Sequence, residues 1–262
     1  MKIAIANQKG GTGKTTTAVN LAGYLSSWEK MTLLIDMDPQ AHATLGLGFS
    51  PEANTASMYD VMVGGEKLSS IVRTTQSDKL RIAMANIDLA GLELALANEW
   101  DRIGIMRRIL SEQTEYDYII MDCPPTLGLL TVNSLVASDR VIAPVQTQFY
   151  ALRGLKLLGE TIEKVQKLHP GSARLHLLPT MYDGRQVADR DVLRVMKERF
   201  SDSLLKESDD VITIPKNIRL SEASSAGQPI SEYDPMCPGA KSYESVAKEV
   251  MKWLSEEYNN GD

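Results

Sequence analysis

Lys9-Gly10-Gly11-Thr12-Gly13-Lys14-Thr15 follows the apolar run Ile3-Ala4-Ile5-Ala6 and opens a stretch with helical spacing. Three of its residues are glycines, which lack Cβ and let a backbone approach a phosphate closely or adopt positive φ. Backbone N–H groups at the start of the helix then converge on the anion. Lys14 reaches the terminal phosphates, and the Thr15 hydroxyl is placed to ligate Mg²⁺. The strict G-x-x-x-x-G-K-[ST] spacing would put its first glycine at Gln8, so the loop is a compressed form. A tight strand-to-helix turn alone explains glycines, but not strand, glycines, Lys-Thr and helix in that order. Lys9 is an added charge that a phosphate loop does not itself need, and it could serve a nucleotide held by a second subunit.

Outward from this loop, short apolar runs alternate with longer amphipathic ones. Lys2–Ala6, Met31–Ile35, Leu80–Met84, Tyr118–Met121, Val141–Val145, Leu175–Leu178 and Val211–Ile214 read as strands, most of them apolar throughout, as strands covered on both faces are. Lys14–Trp28, Asp88–Leu110, Gly128–Ala137, Gly154–Leu168, Asp189–Phe200 and Ser242–Tyr258 read as helices, the last with Val246, Val250 and Trp253 on one face. This alternation predicts an α/β fold with a mostly parallel, twisted sheet and helices on both faces. Gly46–Ala56 and Ser231–Gly239 read as loops. With no linker or internal repeat, one domain over residues 1–262 is expected.

Composition narrows the class. Of 262 residues, 43% are hydrophobic and 24% charged, which excludes disordered and low-complexity chains. No apolar run is long enough to span a bilayer, and the N-terminal run is too short for a secretory segment. Two cysteines, Cys123 and Cys237, make no disulfide framework or metal-ligand spacing, so a cytoplasmic location is expected. A net charge of −6 gives no global attraction to polyanions, leaving only a local basic patch.

Asp36 and Asp38 stand at the end of the second strand and Asp122 at the end of an apolar one. Mg²⁺ retains several waters and takes few protein ligands, so one carboxylate beside Thr15 suffices. Asp122 is the candidate, its alternative being a strand-end aspartate that starts a turn. Cys123, between an acid and two prolines, reads as a small buried filler.

The loop Lys9-Gly10-Gly11-Thr12-Gly13-Lys14-Thr15-Thr16 resembles the deviant Walker A motif of the ParA/MinD ATPases. Four further segments resemble the ParA/Soj branch, in order: Ile35-Asp36-Met37-Asp38-Pro39-Gln40; Tyr118-Ile119-Ile120-Met121-Asp122-Cys123-Pro124-Pro125; Pro144-Val145-Gln146; and Ile214-Pro215-Lys216-Asn217-Ile218-Arg219-Leu220-Ser221-Glu222-Ala223. The resemblance runs from residue 1 to about 250 and implies a P-loop NTPase-like fold. It implies a slow ATP hydrolase using ATP/ADP and Mg²⁺, with Lys9, Lys14 and Asp38 catalytic. Asp38 would position the attacking water, Asp36 would sit near the metal with Thr15 and Asp122, and Lys9 would reach the partner's site in an ATP-dependent homodimer. Met181, Pro215 and Asn217 would lie by the adenine.

As further implications, the ATP-bound dimer binds nonspecific double-stranded DNA through Arg185 and Arg219, with Lys216 beside them, and a ParB-like activator presenting a basic peptide stimulates hydrolysis. The chain would be nucleoid-associated and would segregate a chromosome or plasmid. The family often has Arg-Ser-Arg where this chain has Met236-Cys237-Pro238, which weakens the DNA expectation. Lys241, Lys248 and Lys252 read as the wet side of a docked helix. The acidic end, from Glu256 and Glu257 to Asp262, disfavours a membrane. Three other readings stand beside this one: a positioning ATPase for another cargo such as a chemoreceptor array or microcompartment, an iron–sulfur carrier, and an ATP-dependent ligase of similar fold.

Overall fold

The computed structural model describes residues 1–51, 55–148 and 151–259, with side chains for all of these except 151–154 and 255–259. Among the described residues, ten strands run in the order β1 (Lys2–Ile5), β2 (Thr32–Asp36), β3 (Val72–Thr74), β4 (Leu80–Ala83), β5 (Tyr118–Asp122), β6 (Arg140–Gln146), β7 (Arg174–Tyr182), β8 (Lys206–Glu207), β9 (Asp210–Val211) and β10 (Ile214–Pro215). Eight form one sheet in the order β10-β7-β6-β1-β5-β2-β4-β3, and β8 and β9 form a separate hairpin. Every pairing in the large sheet is parallel except that of β3 with β4.

Successive strand residues face opposite sides of a sheet, and both sides here are apolar. Leu33, Ile35, Ile119, Met121, Val141 and Ala143 enter one core with the helices Ile105–Ser111, Leu129–Ala137, Ala151–Leu168 and Val187–Phe200. Leu34, Tyr118, Ile120 and Ile142 enter the other, against the helices Lys14–Ser27 and Pro238–Asn259. Each such side chain fully buried contributes roughly 1.5–3 kcal/mol. Val246, Val250 and Trp253 are buried as their spacing predicts, and Lys248 and Lys252 pair with Glu244 and Glu249 on the wet side. Gly23 marks a close approach: a Cβ there would stand 2.3 Å from Pro229 Cβ.

Four expectations are corrected. The Asp88–Leu110 stretch is a 3-10 turn (Ile87–Gly91), a short helix (Leu92–Ala95) and a separate helix (Ile105–Ser111), not one helix. Asn133 stabilises the break, accepting from Met106 N at 3.1 Å and donating to Arg102 O at 2.8 Å. Val211–Ile214 divides between β9 and β10, so its apolar residues serve a hairpin and the sheet edge. Ser231–Gly239 is not all loop: Ile230–Tyr233 is helical and Pro238 opens the last helix, whose first turn needs no proline N–H. The Gly46–Ala56 loop begins one residue inside the short helix His42–Gly46, and its positions 52–54 lie outside the described residues. The acidic end at 260–262 also lies outside them, and the side chains of Glu256 and Glu257 are not described.

Candidate nucleotide and metal site

The strands' carboxyl ends converge beside the point where the chain order reverses, with β1 between β5 and β6. Ligands of open α/β sheets bind at such a crevice. The loop after β1 turns through Gly11 at φ 68° and Gly13 at φ 90°, conformations that a Cβ would strain. Gly13 caps the helix Lys14–Ser27 with no side-chain hydrogen bond of its own, so the helix's first N–H groups face the loop. Asn7 anchors the entry, accepting from Lys9 N at 3.0 Å and donating to Pro144 O at 2.7 Å.

Lys14 is 7% exposed and its Nζ donates to Lys9 O at 3.3 Å. Burial lowers its ammonium below the ordinary lysine value, opposed by the charge of Asp122. Lys9 is held within its own chain, with Nζ donating to Gln146 Oε1 at 2.7 Å and Gln148 Oε1 at 3.2 Å.

The carboxylates separate by environment. Asp36 is fully buried with both oxygens engaged: Oδ1 accepts from Asp38 N at 3.1 Å, and Oδ2 from Thr44 N and Thr44 Oγ1, both at 2.8 Å. Burial pushes its carboxyl up to about 6 against those hydrogen bonds. Asp122 is also fully buried, but neither oxygen has a well-formed hydrogen bond among the described residues. Burial, then the charge of Asp36, raises its carboxyl well above the ordinary range, while Thr15 and Lys14 oppose the rise. A buried carboxylate without partners is costly, and a hard cation with oxygen ligands would relieve it. The donor set Thr15 and Asp122 therefore fits Mg²⁺, whereas Asp36 braces the loop behind.

The strand does not continue to Asp38. Asp38 begins a turn in which its Oδ1 accepts from Gln40 N at 2.9 Å and its carbonyl from Ala41 N at 2.8 Å. Cys123 is buried and its thiol pushed up to about 12 by burial, so it is a weak nucleophile.

A cavity of about 390 Å³ opens beside Gly13 and Thr16. Met181, Pro215 and Asn217 all line it. Lys216 lines it too, which places that residue at the cavity rather than only on an outer basic patch. Arg185 and Arg219 stand apart and are already ion-paired. Arg185 meets Asp183 with Nε–Oδ1 2.9 Å and Nη2–Oδ2 3.0 Å, while Arg219 meets Glu222 at 2.8 Å and Asp234 at 3.4 Å.

Several residues of the site carried no sequence signal. Asn7, Thr44, Gln148, Thr180 and Tyr243 are single polar residues that no local spacing marks, each with a partner distant in the chain: Pro144, Ala85, Lys9, Thr12 and Thr17 respectively. Gln146 lies in the Pro144-Val145-Gln146 segment, where nothing local gives it a role.

Residues 1–174 match the family model described as an AAA domain. The chromosome-partitioning ATPase Soj of Treponema pallidum is 41% identical over 251 residues, spanning 95% of this chain and 96% of that protein. The sporulation initiation inhibitor protein Soj of Bacillus subtilis is 44% identical over 250 residues, spanning 95% and 97%. Among solved structures, cobyrinic acid a,c-diamide synthase from Mycobacterium smegmatis with bound ATP analog and magnesium superposes with a TM-score of 0.84 at 32% identity, covering 96% of this chain and 94% of that one.

Proposed function

The chain belongs to the ParA/MinD family of ATPases, on its ParA/Soj branch, and on that footing we propose that it is an ATP-hydrolysing switch that segregates DNA cargo. The observation that carries this is the meeting, at the carboxyl ends of the strands, of the glycine loop, the buried Asp122 carboxylate and the cavity at Met181, Pro215 and Asn217. Adenine fits the cavity, the phosphates the loop, and Mg²⁺ the pair Thr15 and Asp122. The Treponema pallidum relative, a chromosome-partitioning ATPase, supports ATP as the nucleotide, and the solved relative with its ATP analog and magnesium supports both ligands.

Phosphoryl transfer to water needs position and charge neutralisation more than covalent chemistry. Lys14 lies buried at the loop and binds the terminal phosphates. Asp38, on its turn beside the loop, orients the attacking water. Mg²⁺, held by Thr15 and Asp122, would supply charge neutralisation to the phosphates. Lys9 turns from Gln146 and Gln148 toward a partner's nucleotide in the ATP-bound dimer, where an added cation accelerates transfer. Intrinsic turnover is slow, and a ParB-like protein raises it.

The dimer binds DNA without reading sequence, through Arg185 and Arg219, and so resides on the nucleoid in the cytoplasm. Because both arginines carry ion pairs, binding requires exchange of Asp183, Glu222 and Asp234 for phosphates. That makes it weak and dependent on the doubled patch of a dimer. A second reading, ATP-dependent amidation of a small acid, has the diamide synthase likeness in its favour.

An electrophoretic shift on two unrelated duplexes at low salt tests the proposal. ATP-dependent binding to both, lost with ADP, is expected. No shift in any nucleotide state contradicts the DNA role and leaves another cargo, and turnover that requires a small acid substrate favours the ligase reading.

A further inference from the structure

The loop's geometry depends on two side chains outside it. Gln146 and Thr180 are cross-strand partners at the carboxyl ends of β6 and β7. Gln146 Nε2 donates to Gly11 O at 2.6 Å, and Thr180 Oγ1 donates to Thr12 O at 2.8 Å across 168 residues of chain. Gln146 Oε1 accepts from Lys9 Nζ, which orients its amide with the NH₂ toward Gly11.

A trans peptide is planar, with its C=O and N–H pointing in opposite directions. Pinning Gly11 O toward β6 therefore turns Thr12 N–H the other way, and pinning Thr12 O toward β7 turns Gly13 N–H. Neither N–H makes a hydrogen bond to protein among the described residues. With Gly11 and Gly13 both at positive φ, these peptides have little side-chain restraint of their own.

We propose that Gln146 and Thr180 are positioning residues that fix the Gly11–Thr12 and Thr12–Gly13 peptides so that their N–H groups face the phosphates before nucleotide arrives. The inference rests on the phosphate-loop reading given above. Thr180 also precedes Met181, whose φ of 54° turns the chain into the base cavity. One residue pair in β7 thus serves both ends of the nucleotide, Thr180 acting on the phosphates through the loop and Met181 lining the base. Thr180 is 2% exposed and Thr12 1%, so the bond between them is largely shielded, although Thr180 also lines the cavity.

The test compares Thr180→Val, which keeps the shape and loses the hydroxyl, with Thr180→Ser, which keeps the hydroxyl. Displacement of a fluorescent ADP by ADP, tripolyphosphate and adenosine is measured with Mg²⁺, on full-length protein whose thermal unfolding matches wild type. Thr180→Val should weaken ADP and tripolyphosphate about tenfold and leave adenosine unchanged, while Thr180→Ser behaves as wild type. Gln146→Leu, on the neighbouring strand, should give the same phosphate-selective loss and serves if Thr180→Val does not fold.

Equal loss for adenosine, equal loss in Thr180→Ser, or no loss in either Thr180→Val or Gln146→Leu overturns the assignment. Failure of wild type to bind any of the phosphate ligands would instead sink the phosphate-loop reading itself, and the inference with it.

Discussion

Thr44 grips Asp36 twice, its N–H and its hydroxyl each donating to Oδ2 at 2.8 Å, and the same hydroxyl accepts from Ala85 N at 3.2 Å. The bond set ties the end of β2 to the segment after β4. It also separates two aspartates that look alike in sequence: Asp36 is consumed in holding the loop that carries Asp38, and Asp122 is left facing Thr15.

Removing each should therefore have a different signature. Asp122→Asn should raise the Mg²⁺ concentration needed for half-maximal ATP turnover by about tenfold or more, as loss of groups at metal sites commonly does. Thr44→Val should cost about 1–3 kcal/mol of stability, because Asp36 Oδ2 and Ala85 N lose a buried partner, with the Mg²⁺ midpoint little changed. Urea unfolding and a Mg²⁺ titration check both. An unmoved midpoint in Asp122→Asn would remove it from the metal.

Lys14→Ala should weaken ATP binding by about ten- to a hundredfold, the range set by a charge-assisted hydrogen bond of about 1.5–3 kcal/mol. Isothermal titration with ATP reads this directly. Near-wild-type affinity would exclude Lys14 from the phosphates.

His176 makes stability pH-dependent. Its ring is 7% exposed, stacks on Trp253 at 4.2 Å, and leaves Nε2 without a partner. Burial, then the charges of Arg140 and Arg174, lower its pKa to about 3. Between about 6.5 and 3 the unfolded chain binds a proton that the folded one does not, so this contribution is whole above 6.5 and is lost as pH falls, at up to about 1.4 kcal/mol per pH unit. The raised carboxyl of Asp36 has the opposite sign in part of the window, so the difference between wild type and His176→Phe isolates the histidine. Urea unfolding at pH 7, 5.5 and 4.5 should show the difference moving in favour of His176→Phe as pH falls. A difference that stays constant with pH would show that His176 titrates normally in the fold.

If Arg185 and Arg219 meet DNA phosphates, each Arg→Ala should reduce the salt slope of log K by about one unit, equally for unrelated duplexes. Release of Asp183 and Glu222 on binding sets an upper limit on that loss. Unchanged slopes in both variants would move the patch elsewhere, with Lys248 and Lys252 next.

The central sheet was legible because its strands are apolar on both faces and carry no competing pattern. The phosphate loop was legible because Gly10, Gly11 and Gly13 are adjacent in the chain. What sequence missed around the loop has one physical cause: its partners are distant in the chain. Thr180 meets Thr12 from 168 positions away, and Gln146 meets Gly11 from 135, so no local spacing marks either. The Asp88–Leu110 stretch failed differently. Its apolar residues keep helical spacing, but the side chain of Asn133 fixes a break that only the tertiary fold supplies. Lys216, which the resemblance sets beside the two arginines, directly follows the edge strand β10 and also lines the cavity.

The switch itself is tested by the mass of Asp38→Ala, which on the proposed role loses water positioning and keeps the loop, Lys14 and Asp122. Sedimentation velocity in Mg²⁺ with ATP, with ADP and without nucleotide should give a species of twice the 28.9 kDa chain mass with ATP alone. A chain that binds ATP yet remains a 28.9 kDa monomer in all three conditions would contradict the account, because Lys9 would then have no second site to complete.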